Sequence, residues 1–238
     1  MIHLRGGGHI GSGEDVCYEP EEHEPLHTEG LAVDLRGRAT FAEISDRLDC
    51  DLFPTRAPEM PVSRAFRRWG IESAALDLAL RQKGTSFAQT LGLEPSPVRF
   101  VASMHLDPPD TSRLRALRSR VPDVRFKLDG RSDWDENLID EIATLGGVEI
   151  IDLKGRYEGT IVDQAPDPDL YRRVADAFPG TLIEDPALTP ETESALGPSG
   201  LARVSWDAPI HSLADVAAQP APAAAVNVKP SRIGSVAE

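Results

Sequence analysis

Val148-Glu149-Ile150-Ile151-Asp152-Leu153-Lys154-Gly155 and Thr181-Leu182-Ile183-Glu184-Asp185-Pro186 are two short β-type runs, each carrying charge at its end. Between them Pro168 to Ala177 reads as a helix. Strand, helix and strand in that order make a crossover unit with its two strands parallel. The same alternation extends outward in both directions. Towards the N-terminus it runs through Val98 to Met104, Thr111 to Ser119, Val124 to Leu128 and Trp134 to Thr144. Towards the C-terminus it continues through Pro190 to Leu196, Ala202 to Trp206, Leu213 to Ala217 and Ala224 to Val228. An open doubly wound sheet and a closed barrel both fit such a pattern. No Gly-x-Gly-x-x-Gly turn follows the first strand and no Walker-type loop occurs, so the usual nucleotide site of an open sheet is missing. The expected class is therefore α/β, a (β/α) barrel over 97–238, incomplete with about six strands. A full eight-unit barrel takes about 250 residues, and Ser235 to Glu238 follow closely on the last strand. The barrel is expected to be truncated.

Before the barrel, Phe66, Trp69, Ile71, Ala74, Ala75, Leu78 and Ala79 recur at helical spacing, and Gly84 follows Arg81 and Lys83. This predicts a helix over 63–83. Residues 1 to about 62 are rich in Gly, Pro, Glu and His and read as irregular. Together, 1–96 form the expected N-terminal domain.

Lysine and arginine total 25 against 39 acidic residues, a formal net charge of −14 that disfavours nucleic acid unless a basic patch is segregated. The densest basic group, Arg64, Arg67 and Arg68, has the spacing of a solvated helix face. No apolar run approaches the roughly 20 residues of a membrane span, and the glycine-broken start has no secretory core. The expected location is the cytoplasm. Cys17 and Cys50 lie far apart without metal-ligand spacing and read as reduced thiols.

Barrel strands direct their C-terminal ends into one mouth, where this architecture carries its chemistry. Those ends present Lys127, Asp152, Glu184, Asp207 and Lys229, separated by about 22 to 32 residues, one strand–helix unit each. Three carboxylates in a low-dielectric mouth repel one another, and a divalent cation compensates. Oxygen-only ligands favour Mg²⁺ over zinc. Lysines beside such a cation suit proton exchange with a carbon acid.

With this pattern the chain resembles the enolase superfamily, in its mandelate-racemase and muconate-lactonizing branch, along nearly its whole length. The resemblance implies that Asp152, Glu184 and Asp207 bind Mg²⁺, which stabilises an enediolate formed by removing the proton α to a carboxylate. It also implies that Lys127, within Arg125-Phe126-Lys127, and Lys229, within Lys229-Pro230-Ser231-Arg232-Ile233-Gly234, are catalytic and face each other across the substrate. Gly11-Ser12-Gly13-Glu14-Asp15-Val16 is similar to the end of that family's capping-domain sheet, so 1–96 is expected as a partial α+β cap. Truncation is thus expected at both ends.

The pattern departs from the family in places. Asp152-Leu153-Lys154 stands where Asp-Ala-Asn is usual, Glu184-Asp185-Pro186 where Glu-Gln-Pro is common, and Trp206-Asp207-Ala208 where Asp-Glu-Ser is common. Arg125 replaces the first lysine of Lys-x-Lys and cannot serve as a base at neutral pH. A competing register takes Val124 to Trp134 as the third strand and makes Asp129 the first ligand. Lys154 is an extra cation two residues from Asp152 on the same strand face, a candidate substrate contact or a replacement for part of the metal's charge, and His211 and Ser231 are further candidate substrate contacts. His9, His23 and His27 read as surface residues, Gly11 and Gly13 as a turn, and Asp133, Asp135 and Glu136 as a helix start.

The functional expectation is a Mg²⁺-dependent lyase or isomerase acting on a small carboxylate substrate through an enolate. No nucleic acid or membrane partner is expected, and the resemblance implies a homo-oligomer. The alternative is a non-catalytic barrel that keeps the acidic cluster for binding.

Overall fold

A computed structural model describes residues 1–236. It divides into two compact units, one formed by 1–97 with 229–236 and the other by Val98–Val228.

The first unit is more regular than its composition suggests. Strands β1 (Ile2–Gly6) and β2 (His9–Gly13) form an antiparallel hairpin. Its turn uses Gly7 and Gly8, both at the positive φ that such a turn requires. Gly11 and Gly13 are therefore strand residues. A Cβ at Gly11 would strike the Ala74 carbonyl, and one at Gly13 the Gly70 carbonyl, so the glycines let the sheet lie directly on a helix backbone.

Two helices follow the hairpin. Helix α1 (Pro20–Glu29) starts on a proline, and α2 (Phe41–Arg47) on a capping box between Thr40 and Glu43. Helix α3 occupies Ser63–Lys83, the predicted span, and stops at Gly84 in the left-handed conformation. It buries Phe66, Ile71 and Ala74 against Ile2, Cys17, Leu48, Leu52 and Phe53. Helix α4 (Phe87–Leu91) completes the segment, and a turn of helix at Pro230–Ile233 packs on α3.

Arg67 is not on a solvated face, as its spacing suggested. It is buried and ion-paired to Asp15 at 2.9 Å, with further bonds to the Leu52 and Glu22 carbonyls. A neighbouring His23 ring nitrogen lies 3.0 Å from the Cys17 carbonyl, so that residue too is part of the interior network. Spacing identified the helix face but not the acid waiting beneath it.

The second unit alternates strictly. Strand β3 (Val101–Met104) leads to α5 (Ser112–Arg120), β4 (Arg125–Asp129) to α6 (Glu136–Leu145), and β5 (Val148–Asp152) to α7 (Pro168–Ala177). Then β6 (Leu182–Glu184) leads to α8 (Pro190–Leu201), β7 (Val204–Trp206) to α9 (Leu213–Ala217), and β8 (Ala225–Val226) closes the series. The six strands are parallel and neighbour one another in sequence order. A doubly wound sheet would reverse its order at a switch point, so this is the barrel arrangement expected, with six strands.

Period-two alternation sets the layers. Phe126, Leu128, Ile151, Leu153 and Ile183 join Leu114, Ile139, Ile142, Leu170, Val174 and Leu196 from the helices in one buried core. The residues between them, Lys127, Asp152 and Glu184, are thereby turned to the opposite face. Val204, Trp206 and Ile210 form a smaller cluster beside that core. Among the described residues, no helix is long and apolar enough to cross a membrane.

Candidate metal centre

Strand register brings the charged ends together. Asp129 pairs with Asp152, and Asp152 with Glu184, across β4, β5 and β6. Asp152, Glu184, Asp185 and Asp207 are all buried. Asp152, Glu184 and Asp185 each bring a carboxylate oxygen within 4.8 Å of the others.

Asp185 was not among the residues singled out from sequence, although its place in Glu184-Asp185-Pro186 was the available signal. Its Oδ1 accepts from the Asp207 N–H and its Oδ2 from the Ala208 N–H, both at 2.9 Å. It therefore ties the end of β6 to the end of β7. Tyr157 Oη lies 3.4 Å from Asp207 Oδ2.

Two lysines enter this group. Lys127 Nζ contacts Glu184 Oε1 and lies 3.2 Å from Asp152 Oδ2. Lys154 Nζ lies 2.5 Å from the same Asp152 oxygen and 3.4 Å from Asp129 Oδ1. Asp129 also faces His105, 3.5 Å from its Nδ1. Among the described residues, the non-glycine residues with left-handed φ are Lys154, at 53°, and Asp185, at 48°, both at this centre. Such backbone costs about 1–3 kcal/mol and clusters at functional positions.

The electrostatics show a surplus of negative charge. Burial pushes the Glu184 carboxyl up to about 7, and the neighbouring Asp152 carboxylate adds to the rise against the opposing pull of Lys127. Asp185 is raised as well, chiefly by burial, despite its two backbone hydrogen bonds. Burial disfavours the Lys127 ammonium, but Glu184 and Asp152 outweigh it and hold its pKa above the ordinary value. Lys154 is raised in the same way by Asp152 and Asp129. The carboxyl groups of Asp129, Asp152, Glu184, Asp185 and Asp207 outnumber the two ammonium groups, an acidic excess that favours a divalent cation, and the donors are hard oxygens. The residues fit such an ion.

The other expected site residues come later in the chain. His211 is in the loop after β7, where its N–H donates to Asp215 and its ring lies 3.1 Å from the Ala208 carbonyl. Lys229 comes three residues after β8 and caps the helix Pro230–Ile233, which contains Ser231. Both belong to the first unit.

Residues 94–238 match the family described as "Domain of unknown function (DUF8230) C-terminal domain", and 1–90 match its N-terminal domain. The chain belongs to the DUF8230 family. No curated protein matches this DUF8230 sequence. Among solved structures, muconate cycloisomerase from Pseudomonas fluorescens is similar at TM-score 0.64 and 20% identity, over 97% of this chain and 66% of that one. An enolase-superfamily member from Listeria innocua is similar at TM-score 0.58 and 17% identity, over 85% of this chain and 52% of that one. An L-Ala-D/L-Glu epimerase is similar at TM-score 0.58 and 17% identity, over 99% and 70%. The DUF8230 chain thus has the fold of the enolase superfamily, and it spans about half to two-thirds of the length of these structures.

Proposed function

We infer that the DUF8230 chain catalyses Mg²⁺-assisted proton transfer at the carbon α to the carboxylate of a small substrate. The observation that carries this reading is the buried carboxylate group of Asp152, Glu184 and Asp185 at adjacent strand ends, with the Lys127 ammonium against it. Similarity in fold to proteins named as a cycloisomerase and an epimerase supports the reaction class.

Asp152, Glu184 and Asp207 would hold the ion, with Asp185 a positioning residue that fixes the Asp207 backbone. When bound, Mg²⁺ supplies Lewis-acid stabilisation of negative charge developing on the substrate carboxylate. Lys127 carries the proton on one face. Glu184 and Asp152 stabilise its protonated form. Lys229 is assigned the opposite face by the resemblance, and Lys154, His211 and Ser231 are candidate substrate contacts. An enolate then forms and is reprotonated or loses a leaving group, as a racemase, epimerase, cycloisomerase or dehydratase requires.

The test is exchange of the α-proton from deuterated solvent, followed by NMR across a panel of small carboxylates with Mg²⁺ present. Exchange is expected in the wild type and abolished in Glu184→Gln. Exchange that persists unchanged in both Lys127→Met and Lys229→Ala overturns the lysine roles. Metal binding with no exchange of any substrate favours a binding barrel instead.

A further inference from the structure

Lys154 places a cation at the oxygen that a metal ligand must offer. Both oxygens of Asp152 are engaged by residue 154. The Lys154 backbone N–H donates to Asp152 Oδ1 at 3.0 Å, and its ammonium sits 2.5 Å from Oδ2. The left-handed φ of 53° at Lys154 is part of the turn that folds the side chain back onto its own strand end. Glycine or asparagine would adopt that backbone more easily, so the strain accompanies a side chain that fills a charge role.

Two ammonium groups meet Asp152 Oδ2, Lys154 at 2.5 Å and Lys127 at 3.2 Å, and the closer one, Lys154, would repel a divalent ion most strongly across this buried site. The ammonium has somewhere to go. Asp129 Oδ1 is 3.4 Å away, and the Tyr157 ring, 4.9 Å from Nζ to its centroid, flanks the same nitrogen. Lys154 is already paired with both carboxylates, so a short swing towards Asp129 loosens its hold on Asp152 without exposing the charge.

We propose that Lys154 is a resident counter-ion that a divalent cation must displace, and that Asp129 receives its ammonium when it moves. The proposal rests on the metal site inferred above and adds to it an intrinsic competitor. Lys154 sets the metal concentration at which the centre fills, and Asp129 lowers that concentration by accepting the displaced charge. The exchange keeps the carboxylates compensated in both states.

The experiment is Mn²⁺ titration by calorimetry on the full chain, comparing wild type, Lys154→Met, Asp129→Asn and the double variant. Potassium chloride at about 0.5 M screens long-range charge effects. Lys154→Met is expected to bind Mn²⁺ roughly 10-fold more tightly than wild type, within the range of couplings between linked sites. Asp129→Asn is expected to bind several-fold more weakly on its own, yet to change little in the Lys154→Met background, since its role passes through the lysine. Circular dichroism checks folding, and Lys154→Gln replaces the methionine variant if that one is unfolded. Equal or weaker binding by the lysine variants overturns the proposal while leaving the metal site intact. So does an Asp129→Asn penalty of the same size in both backgrounds. Binding by the lysine variants alone supports it most strongly. Absence of Mn²⁺ binding in every variant overturns the metal reading, and the proposal with it.

Discussion

Asp185 illustrates what a single residue does at this centre. Its two oxygens accept the Asp207 and Ala208 N–H groups, so it sets the backbone that presents the next acidic residue. In Asp185→Asn one of those buried N–H groups faces an amide NH₂ and loses its acceptor, which costs about 1–3 kcal/mol. A lower midpoint in urea unfolding is the expected result, accompanied by weaker Mn²⁺ binding. Asp207→Asn is expected to weaken Mn²⁺ binding with a smaller loss of stability, and calorimetry with urea melts on both variants separates ligand from tether. In the other unit Asp15 makes the opposite case to Glu184. Burial alone would raise its carboxyl, but bonds from Cys17 and the Arg67 guanidinium outweigh this and hold it below the ordinary value. A depressed carboxyl contributes its stability above the unfolded pKa near 3.9, and that contribution is lost as pH falls through the folded value. Asp15→Asn is therefore expected to cost about 3–5 kcal/mol at neutral pH, by leaving Arg67 buried without its partner, and to flatten the acid limb of a melting curve.

The elements differ in how plainly they could be read. Helix α3 was legible because its apolar stripe is long and its stop is a glycine. The hairpin before it was not, since a glycine-rich stretch carries no alternation to count. Its glycines are required by a packing partner some 60 residues away, such as the Ala74 carbonyl against Gly11. Gly11→Val is expected to force the strand off the helix and to destabilise the unit by more than the usual 1–3 kcal/mol of overpacking, measured by thermal melting. In the barrel unit β4 shows a division of labour between faces. Phe126→Ala removes a fully buried ring from the core and is expected to cost about 3–5 kcal/mol. Its neighbour Lys127 faces the carboxylates, so Lys127→Met is expected to alter metal binding and activity more than core packing.

For the whole molecule, the formal charge of −14 implies net self-repulsion. Melting temperature is expected to rise as salt is raised from low ionic strength to about 0.5 M, and a fall instead would mean that ion pairs dominate over repulsion. The order of strands and helices, the α3 span and the charged strand ends were determined by the sequence alone, because period-two and period-3.6 patterns depend on neighbours along the chain. Asp152 and Glu184 stood out for the same reason. The cation at Lys154, two residues from Asp152, was legible in the same way, but the burial of Arg67 on Asp15 and the tether at Asp185 were decided only by tertiary structure. Each of these two depends on a cross-strand register or a partner far off in the chain. Electrostatic pairing acts through distance in space, and spacing along the sequence does not encode it.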